Sequence, residues 1–579
     1  MSKEARTPND YRMIIVGLLM AVLILSIAVL SSVPPVSRDA LVHHLAVPKL
    51  WLQHGGIYEM SDKVFSYYPM TLDLLYMIPL YFNNDILPKF IHFAFALATS
   101  WLIYCYLKRR QNKRYGMLGA LLFLSTPVIV KLSITVYVDL GLIFFSIAAI
   151  LLVFKWHEHD FRWRYLVMAG LCCGFGLGTK YNGLIVLVFL TALVAYAALG
   201  ASAGHTGRLS RALAATAIFV AVAGLIYLPW GLKNYLWTGN PVYPVFDHWF
   251  NAVDPYEMQS VPPFVLRKLL YGESWWEILL VPLRIFFQGQ DHSPQYFDGK
   301  LNPVLLVLPV LGFMAVNRET STPTLRFEKT VLALFAVFFI LFVFFQTDMR
   351  IRYVGPAIPC LVILAMFGLE GFQSKMKKYV PGIKPGMRTG VTGFVIVVMF
   401  SGNLLYLIDQ YQTVVPMQYL KGDLSRDQYI EKFRPEYGAI HHANTELPSG
   451  ARILALFIGN RGYYSEHAIR FDIDLFREAV QATTLVGDLH QQISHMGFSH
   501  MVIRFDMFAK WCHDNLNKKE KQMVKDLLQG WCDPILLKNG YGLFRLSNHM
   551  EPRPHNEATH EYWRPYGVKA KDQEPINKR

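Results

Sequence analysis

Long apolar runs recur along the first two thirds of the chain. The first run, IIVGLLMAVLILSIAVL at residues 14–30, contains no charged residue and, with its flanking turns, is long enough to cross the hydrocarbon core of a bilayer. Ten further runs lie near residues 85–107, 115–133, 140–154, 165–180, 182–199, 212–230, 301–317, 329–346, 354–371 and 389–409. The pattern predicts a polytopic α-helical membrane protein with about eleven transmembrane helices.

The pattern changes after residue 410. Three short runs of β type, RILALFI, HMVIRF and YGLFRL, begin at residues 452, 500 and 541, and the segment LVGDLHQQISHMG between the first two has helical spacing. Such a mixture predicts a small α/β domain. We therefore divide the chain into a transmembrane domain at 1–410 and a second domain at 411–579, which ends in a polar tail.

Composition agrees with a membrane protein. Hydrophobic residues make up 53% of the chain and charged residues only 17%, which is more apolar side chain than a soluble protein of 579 residues hides in its core.

The formal net charge of +14 reflects basic residues that collect in every second loop. Lys and Arg in short loops stay on the cytoplasmic side, so the pattern predicts that residues 411–579 lie outside the inner (plasma) membrane. The loops predicted to lie on the same outer side are 34–84, 132–139, 231–300 and 347–353. The charge is thus a topology signal, and we expect no nucleic-acid partner.

Five ionisable residues from distant segments fall on this predicted outer face. Two are acids, Asp39 and Asp139, and three are cations, Lys180, Arg350 and Arg352. Ionisable groups at membrane depth are costly, and they are therefore functional candidates by default. The set predicts a site that handles an anionic head group and a proton.

Each candidate also has a structural alternative. Asp39 can be solvated or can cap the next helix. Lys180 can extend its ammonium group to the interface, and Arg350 and Arg352 can anchor lipid head groups.

Two further pairs of residues are candidates for other roles, one for metal binding and the other for a disulfide. His43 and His44 are adjacent, so on a helix they point about 100° apart and do not face one metal ion together. Cys512 and Cys532 both lie in the predicted outer domain, where they form either a disulfide or two separate thiols.

The order of several motifs resembles the membrane-embedded glycosyltransferases of the GT-C fold, which include protein O-mannosyltransferases and the aminoarabinose transferases of lipid A. The first outer loop has an acid soon after the first span, followed by YYPMTLDLLY. Further matching segments are YVDLGLIFFSIAAILL, GLCCGFGLGTKYNGLIVLV, PWGLKNYLWTGNPVYPVF and RIRYVGPAIP. The resemblance covers about residues 10 to 410. One position departs from it, because many relatives have a second acid beside the first, and this chain has Ala40 there.

The resemblance implies a GT-C-like transmembrane region and an enzyme that uses a lipid-phosphate sugar donor. Such an enzyme transfers a hexosyl or pentosyl group from a polyprenyl phosphate to an envelope lipid, glycan or protein at the outer face of the membrane. By this resemblance Asp39 is the catalytic base and Asp139 orients the acceptor or assists the base. Lys180, Arg350 and Arg352 are then the cations that bind the donor phosphate. No cofactor is expected, and no motif indicates a divalent metal.

Two other classes of protein share part of this pattern. A transporter of lipid-linked saccharides is also polytopic, although such transporters are built from repeats and this sequence shows no internal repeat. A scaffold that assembles an envelope complex is the other alternative, although a scaffold does not need acids and cations on one face.

Labelling of introduced cysteines tests the predicted topology. Because the basic loops alternate, single cysteines in 410–579 are expected to react with a membrane-impermeant maleimide in intact cells. Cysteines in 108–114 are expected to react only after the membrane is opened. The reverse labelling pattern contradicts the predicted side for all five candidate residues.

Overall fold

The computed structural model describes residues 8–200, 207–251, 261–314, 322–346, 348–379 and 384–546. The chain divides into two compact units. The first contains the residues up to 33 and those from 47 to 420, and the second contains residues 34–46 together with those from 421 onwards. The short segment after the first helix therefore belongs with the C-terminal part of the chain, which the hydrophobic pattern does not indicate.

Among the described residues of the first unit, the regular secondary structure is helical. Its helices are α1 (Pro8–Ser31), α2 (Ala46–His54), α3 (Thr71–Tyr81), α4 (Leu87–Arg110), α5 (Lys113–Ser125), α6 (Pro127–Ser133), α7 (Asp139–Glu158), α8 (Trp163–Thr179), α9 (Gly183–Gly200), α10 (Arg208–Thr238), α11 (Asp247–Phe250), α12 (Pro263–Tyr271), α13 (Trp275–Leu279), α14 (Val281–Arg284), α15 (Val304–Met314), α16 (Pro323–Gln346), α17 (Ala357–Tyr379), α18 (Pro385–Val414) and α19 (Pro416–Leu420).

The apolar helices agree with the predicted runs in position but not all of them in length. Within the described residues, eight helices are long and apolar enough to cross a membrane. The pair α5 and α6, bent by 65° at Thr126, makes a ninth if it counts as one span. The run near 165–180 forms the shorter helix α8, with 17 residues, whereas the run near 301–317 is described only through α15, whose 11 described residues end at Met314. A polytopic helical protein is therefore confirmed, and the count of about eleven spans stays a prediction.

Glycines let α8 pack closely on α10. A Cβ atom at Gly174 would lie 2.6 Å from the carbonyl oxygen of Ala223, and one at Gly170 would lie 3.1 Å from that of Phe219. Only hydrogen at these positions allows the two backbones to approach so closely. The packing matters for the site because α8 ends at Thr179, directly before Lys180.

The second unit is an α/β domain, as predicted. Its helices are α20 (Arg426–Phe433), α21 (Tyr437–Glu446), α22 (Ile473–Ala482), α23 (Val486–His495), α24 (Phe505–Asn515) and α25 (Lys518–Asp526). Its strands are β1 (Arg452–Leu456), β2 (Ala468–Phe471), β3 (His500–Arg504), β4 (Cys532–Lys538) and β5 (Tyr541–Leu546). The three predicted strands correspond to β1, β3 and β5, and the predicted helix corresponds to α23.

The five strands form one mixed sheet in the order β2-β1-β3-β5-β4. Strand β1 runs parallel to β2 and β3, whereas β5 is antiparallel to β3 and β4. Separate apolar clusters pack against the sheet, one including Phe476 and Phe508 and the other including Ile440 and Val502. Cys512 and Cys532 are separate buried thiols. The polar tail after residue 546 lies outside the described residues.

Candidate functional site

An ion pair joins Asp139 to Lys180. Asp139 is the first residue of α7, and Lys180 follows the last residue of α8. The Nζ atom of Lys180 lies 2.7 Å from Oδ1 of Asp139, whose residue is 3% exposed. An acid in the first turn also faces the positive end of the helix dipole, which stabilises its charge further. The carboxylate is thus held by an ammonium group and by its own helix.

Arg352 brings a second cation to this ion pair. It lies in a 3₁₀ turn, Ile351–Val354, directly before α17, and its charge acts on the Asp139 carboxylate. The guanidinium carbon lies 4.9 Å from the ring centre of Tyr137 and 5.2 Å from that of Tyr353. The ammonium group of Lys180 lies 5.1 Å from the same Tyr353 ring. Two cations therefore lie against one aromatic ring, which attracts both through its quadrupole.

Arg350 belongs to a neighbouring cluster of opposite charges. Its nearest carboxylate oxygen is Oδ2 of Asp298, at 3.9 Å. The ammonium group of Lys131 lies 2.9 Å from Asp291 and 3.1 Å from Asp298, and Tyr406 donates a hydrogen bond of 2.7 Å to Asp291. The guanidinium group of Arg350 therefore has a carboxylate neighbour, as the ammonium group of Lys180 has.

The charges around Asp298 set its protonation. Burial by itself raises the pKa of this carboxyl group, whereas the charge and hydrogen bond of Lys131 lower it. The backbone N–H of His292 and the charge of Arg352 act in the same direction. The pKa of Asp298 is therefore held below its ordinary value, and Asp298 is ionised at neutral pH.

Buried hydrogen bonds position the turn that leads into α7. Nδ1 of His92 lies 2.9 Å from the carbonyl oxygen of Leu132 and 3.0 Å from that of Thr135. The backbone N–H of Leu140 donates to Nε2 of His92 at 2.9 Å. Both ring nitrogens are used, so His92 holds the segment on each side of Asp139 and has no nitrogen left to act as a base on substrate.

A further, partly buried cation, Lys233, lies near the end of α10. Its ammonium group donates to the carbonyl oxygen of Ser66 at 2.7 Å and lies about equally far from the rings of Trp230 and Trp237, at 5.1 and 5.0 Å. The next residue, Asn234, donates to the hydroxyl oxygen of Tyr181 at 3.0 Å. Lys233 is thus next in the chain to Asn234, which is hydrogen-bonded to Tyr181, the residue that follows Lys180. The motif PWGLKNYLW was the only signal in the sequence that marked this lysine.

Asp39 lies in the second unit, directly before a π-helical turn at Ala40–His44. Among the described residues its side chain makes no capping hydrogen bond to that turn. The capping alternative therefore has no support from the geometry. The rings of His43 and His44 are tilted by 47° with their centres 4.0 Å apart, and no group of three or more described His, Cys, Asp or Glu residues is arranged to hold a metal ion.

Residues far along the chain hold the segment around Asp39. The hydroxyl group of Tyr464 donates to the carbonyl oxygen of Pro35 at 2.8 Å, and Nε of Arg434 donates to that of Val36 at 2.5 Å. The backbone N–H of Tyr463 donates to the carbonyl oxygen of Leu41 at 3.1 Å. All these residues belong to the second unit, so the segment on both sides of Asp39 is part of the C-terminal fold.

The structure thus brings three of the predicted residues together, namely Asp139, Lys180 and Arg352, and places Arg350 beside Asp298. Lys131, Asp298 and Lys233 were not identified from the sequence. A single lysine in the apolar helix α6 was the signal for Lys131, and nothing in the sequence marked Asp298.

Solved structures of similar fold identify the class of this architecture. ArnT from Cupriavidus metallidurans in the apo state aligns with a TM-score of 0.54 at 13% identity, over 94% of this chain and 100% of that chain. The same protein bound to undecaprenyl phosphate aligns with a TM-score of 0.51 at 13% identity, over 93% of this chain and 99% of that chain. An Archaeoglobus fulgidus oligosaccharyltransferase tethered with an acceptor peptide aligns with a TM-score of 0.50 at 12% identity, over 92% of this chain and 74% of that chain. The chain has the GT-C fold, and the predicted fold is confirmed.

Sequence comparison adds a family match to part of the chain. Residues 80–230 match the family described as dolichyl-phosphate-mannose-protein mannosyltransferase. Protein O-mannosyl-transferase 1 of Danio rerio is 33% identical over 108 residues, which is 17% of this chain. The match spans only 15% of that relative. The matched family segment contains Asp139 and Lys180.

Removal of one hydroxyl group tests how the Asp39 segment is held. Tyr464→Phe removes the donor to Pro35 and keeps the ring, so about 0.5–1.5 kcal/mol of local stability is lost. We expect amides in 34–46 to exchange with deuterium about twofold to tenfold faster, as measured by mass spectrometry on the full chain.

The matched control is Tyr437→Phe, because the hydroxyl group of Tyr437 donates to Asp427 and not to the segment. Exchange in 34–46 that is unchanged in Tyr464→Phe, or that accelerates equally in the control, contradicts this account.

Proposed function

We propose that this chain is a glycosyltransferase that moves a hexosyl or pentosyl group from a polyprenyl-phosphate donor to an acceptor of the cell envelope. The acceptor is a lipid, a glycan or a protein, and the reaction takes place at the outer face of the inner membrane. The observation that carries the proposal is the cluster of Lys180 and Arg352 around Asp139, at the ends of apolar helices in a GT-C fold. ArnT, which shares this fold, has been solved with bound undecaprenyl phosphate.

In the proposed reaction a carboxylate accepts a proton, and cations stabilise the phosphate that leaves. The acceptor hydroxyl oxygen forms a bond to the anomeric carbon, while the bond from that carbon to the donor phosphate breaks. The proton of the hydroxyl group passes to a carboxylate, and the phosphate leaves with the electron pair. Negative charge therefore grows on the phosphate in the transition state, where fixed cations stabilise it more than they stabilise the ground state.

Within this proposal Asp39 is the general base. Asp139 is less suited to the task, because its charge is already paired with Lys180 and it lies at the start of a helix. Asp139 instead acts as a positioning residue that orients Lys180. General-base help of this kind is worth about 10²- to 10⁴-fold in rate.

Lys180, Arg350 and Arg352 are the proposed donor-binding cations. The Tyr353 ring contacts both Lys180 and Arg352, which limits the reorganisation needed when the phosphate arrives. Arg offers two parallel N–H donors to phosphate oxygens, whereas Lys offers a point charge. Arg350 has Asp298 nearby at 3.9 Å, so it contributes less net positive charge than its side chain alone suggests.

Transfer by purified protein distinguishes the proposal from its alternatives. The full chain in liposomes, supplied with a polyprenyl phosphate carrying a radiolabelled sugar, is expected to move label to an envelope extract. A transporter moves the intact labelled lipid across the bilayer, and a scaffold leaves it unchanged. The comparisons give no support to either alternative. Intact labelled donor after incubation with every acceptor fraction overturns the proposal.

Two carboxylate variants test the assignment of the base. Asp39→Asn keeps the size of the side chain but removes the basic carboxylate, so we expect transfer to fall by at least about a hundredfold with donor binding unchanged. Asp139→Asn is expected to weaken donor binding instead, because Lys180 loses the partner that orients it. Rates are measured with saturating and limiting donor.

The control for both is Asp423→Asn, which changes an exposed acid of the second unit. If Asp39→Asn keeps its rate and Asp139→Asn loses turnover, the base is Asp139. If both variants keep their rates, the proposed mechanism is wrong.

A double variant separates the structural role of Lys180 from its proposed role in donor binding. Lys180→Met leaves the Asp139 carboxylate without its ion-pair partner and is expected to cost about 3 kcal/mol of stability. Asp139→Asn/Lys180→Met removes both charges and is expected to recover most of that stability, as measured by thermal unfolding in detergent. It still loses one charge-assisted contact to phosphate, worth about 1.5–3 kcal/mol, so donor use stays roughly tenfold to a hundredfold weaker. Normal donor use by the stable double variant shows that Lys180 only supports the fold.

A further inference from the structure

A groove lies between α1, α5, α17 and α18, away from the residues of the proposed site. Its volume is about 760 Å³, within the roughly 300–1,000 Å³ typical of ligand pockets. Its lining includes Arg114, Lys377 and Arg388, which belong to basic loops predicted to be cytoplasmic. The groove is contained entirely in the first unit.

Part of the groove lining is an apolar wall. The wall is formed by side chains of three helices, among them Val16 and Leu19 of α1, Met117 and Leu118 of α5, and Ile396 of α18. Such a wall suits a hydrocarbon chain, because apolar contact is the only attraction that these side chains offer.

Three cationic residues also line the groove. Arg114, Lys377 and Arg388 line it together with hydroxyl and amide groups, among them Thr389 and Gln373. Within the described ranges, none of these three cationic side chains forms an ion pair with a carboxylate. The charge of the groove is therefore available to an anion.

We propose that this groove binds one anionic phospholipid of the inner leaflet. Its phosphate contacts Arg114, Lys377 and Arg388, and an acyl chain lies along the apolar wall. The pairing of a basic end with an apolar wall matches the two ends of such a lipid, and basic pockets between transmembrane helices recognise anionic head groups in this way. The inference does not rest on the proposed glycosyl transfer.

The charge requirement is tested by lipid retention. The full chain is reconstituted in nanodiscs with equal amounts of phosphatidylglycerol and phosphatidylcholine, extracted, and examined by native mass spectrometry. The unaltered chain is expected to retain phosphatidylglycerol in preference to phosphatidylcholine. Each cation near an anionic head group contributes about fivefold, so Arg114→Gln/Arg388→Gln is expected to lower that preference at least about tenfold.

The matched control is Arg208→Gln/Arg211→Gln, which removes two basic residues at the start of α10 that do not line the groove. Equal retention of both lipids by the unaltered chain overturns the proposal. An equal loss of preference in the control does so too, because it shows a general effect of surface charge.

A second variant tests the groove without changing charge. Gly393 of α18 lines the groove, and a Cβ atom there meets no other atom within 4 Å. Gly393→Phe therefore fills the groove without a clash at its first carbon, and we expect loss of the retained phosphatidylglycerol.

Gly390→Phe is the control, because Gly390 lies on the same helix with equally open space but does not line the groove. If Gly393→Phe retains as much phosphatidylglycerol as Gly390→Phe, the lipid lies elsewhere and the proposal is wrong.

Discussion

The ion pair between Lys180 and Asp139 joins two helices at the point where Arg352 brings a second cation. Burial of either charge alone is costly, and a carboxylate at 3% exposure persists because an ammonium group lies 2.7 Å away. This requirement fixes the turn after α8 against the first turn of α7. The close packing of α8 on α10 through Gly170 and Gly174 and the hydrogen bonds of His92 act on the same two segments.

Positive charge in this region is present in small excess over negative charge. Lys131 and Arg350 have Asp298 as a neighbour, and Lys180 is paired with Asp139. Arg352 acts on both carboxylates, Asp139 and Asp298, and is stacked on two tyrosine rings. Such a region keeps its fold without a bound anion, because most charges are compensated. It can still attract a phosphate through the cations that the carboxylates compensate only in part.

The hydrophobic pattern predicted the fold well because long apolar runs have one main structural solution in a bilayer. The same pattern did not predict elements whose apolar runs are short or interrupted. The pattern near 115–133 does not show the bend of 65° at Thr126, and helices as short as α12, with 9 residues, and α13, with 5, do not stand out as apolar runs. Strand β4 was missed because Pro534 and a register shift interrupt it, and β2 because it has only four residues.

The site was predicted only in part, for a related reason. Alternating basic loops placed Asp139, Lys180 and Arg352 on one face, and the structure brings them together. The pairing of Lys180 with Asp139 was not predicted. The predicted topology says on which side of the membrane a residue lies, but it does not say which residues are neighbours on that side. Lys131 and Asp298 are 167 positions apart, and one sequence without further information gives no sign of their contact.

The C-terminal unit has a structural role that does not require it to bind anything. The chain leaves α1, passes through the segment 34–46 of the second unit, and then begins α2, so this segment is ordered by residues about 400 positions later. Contacts of such long range form late, because the entropy of closing a large loop must be overcome first. The carbonyl groups of Pro35, Val36 and Leu41 therefore find their donors only when the C-terminal fold is complete. The local order around Asp39 is thus coupled to the folding of a unit that lies far along the sequence.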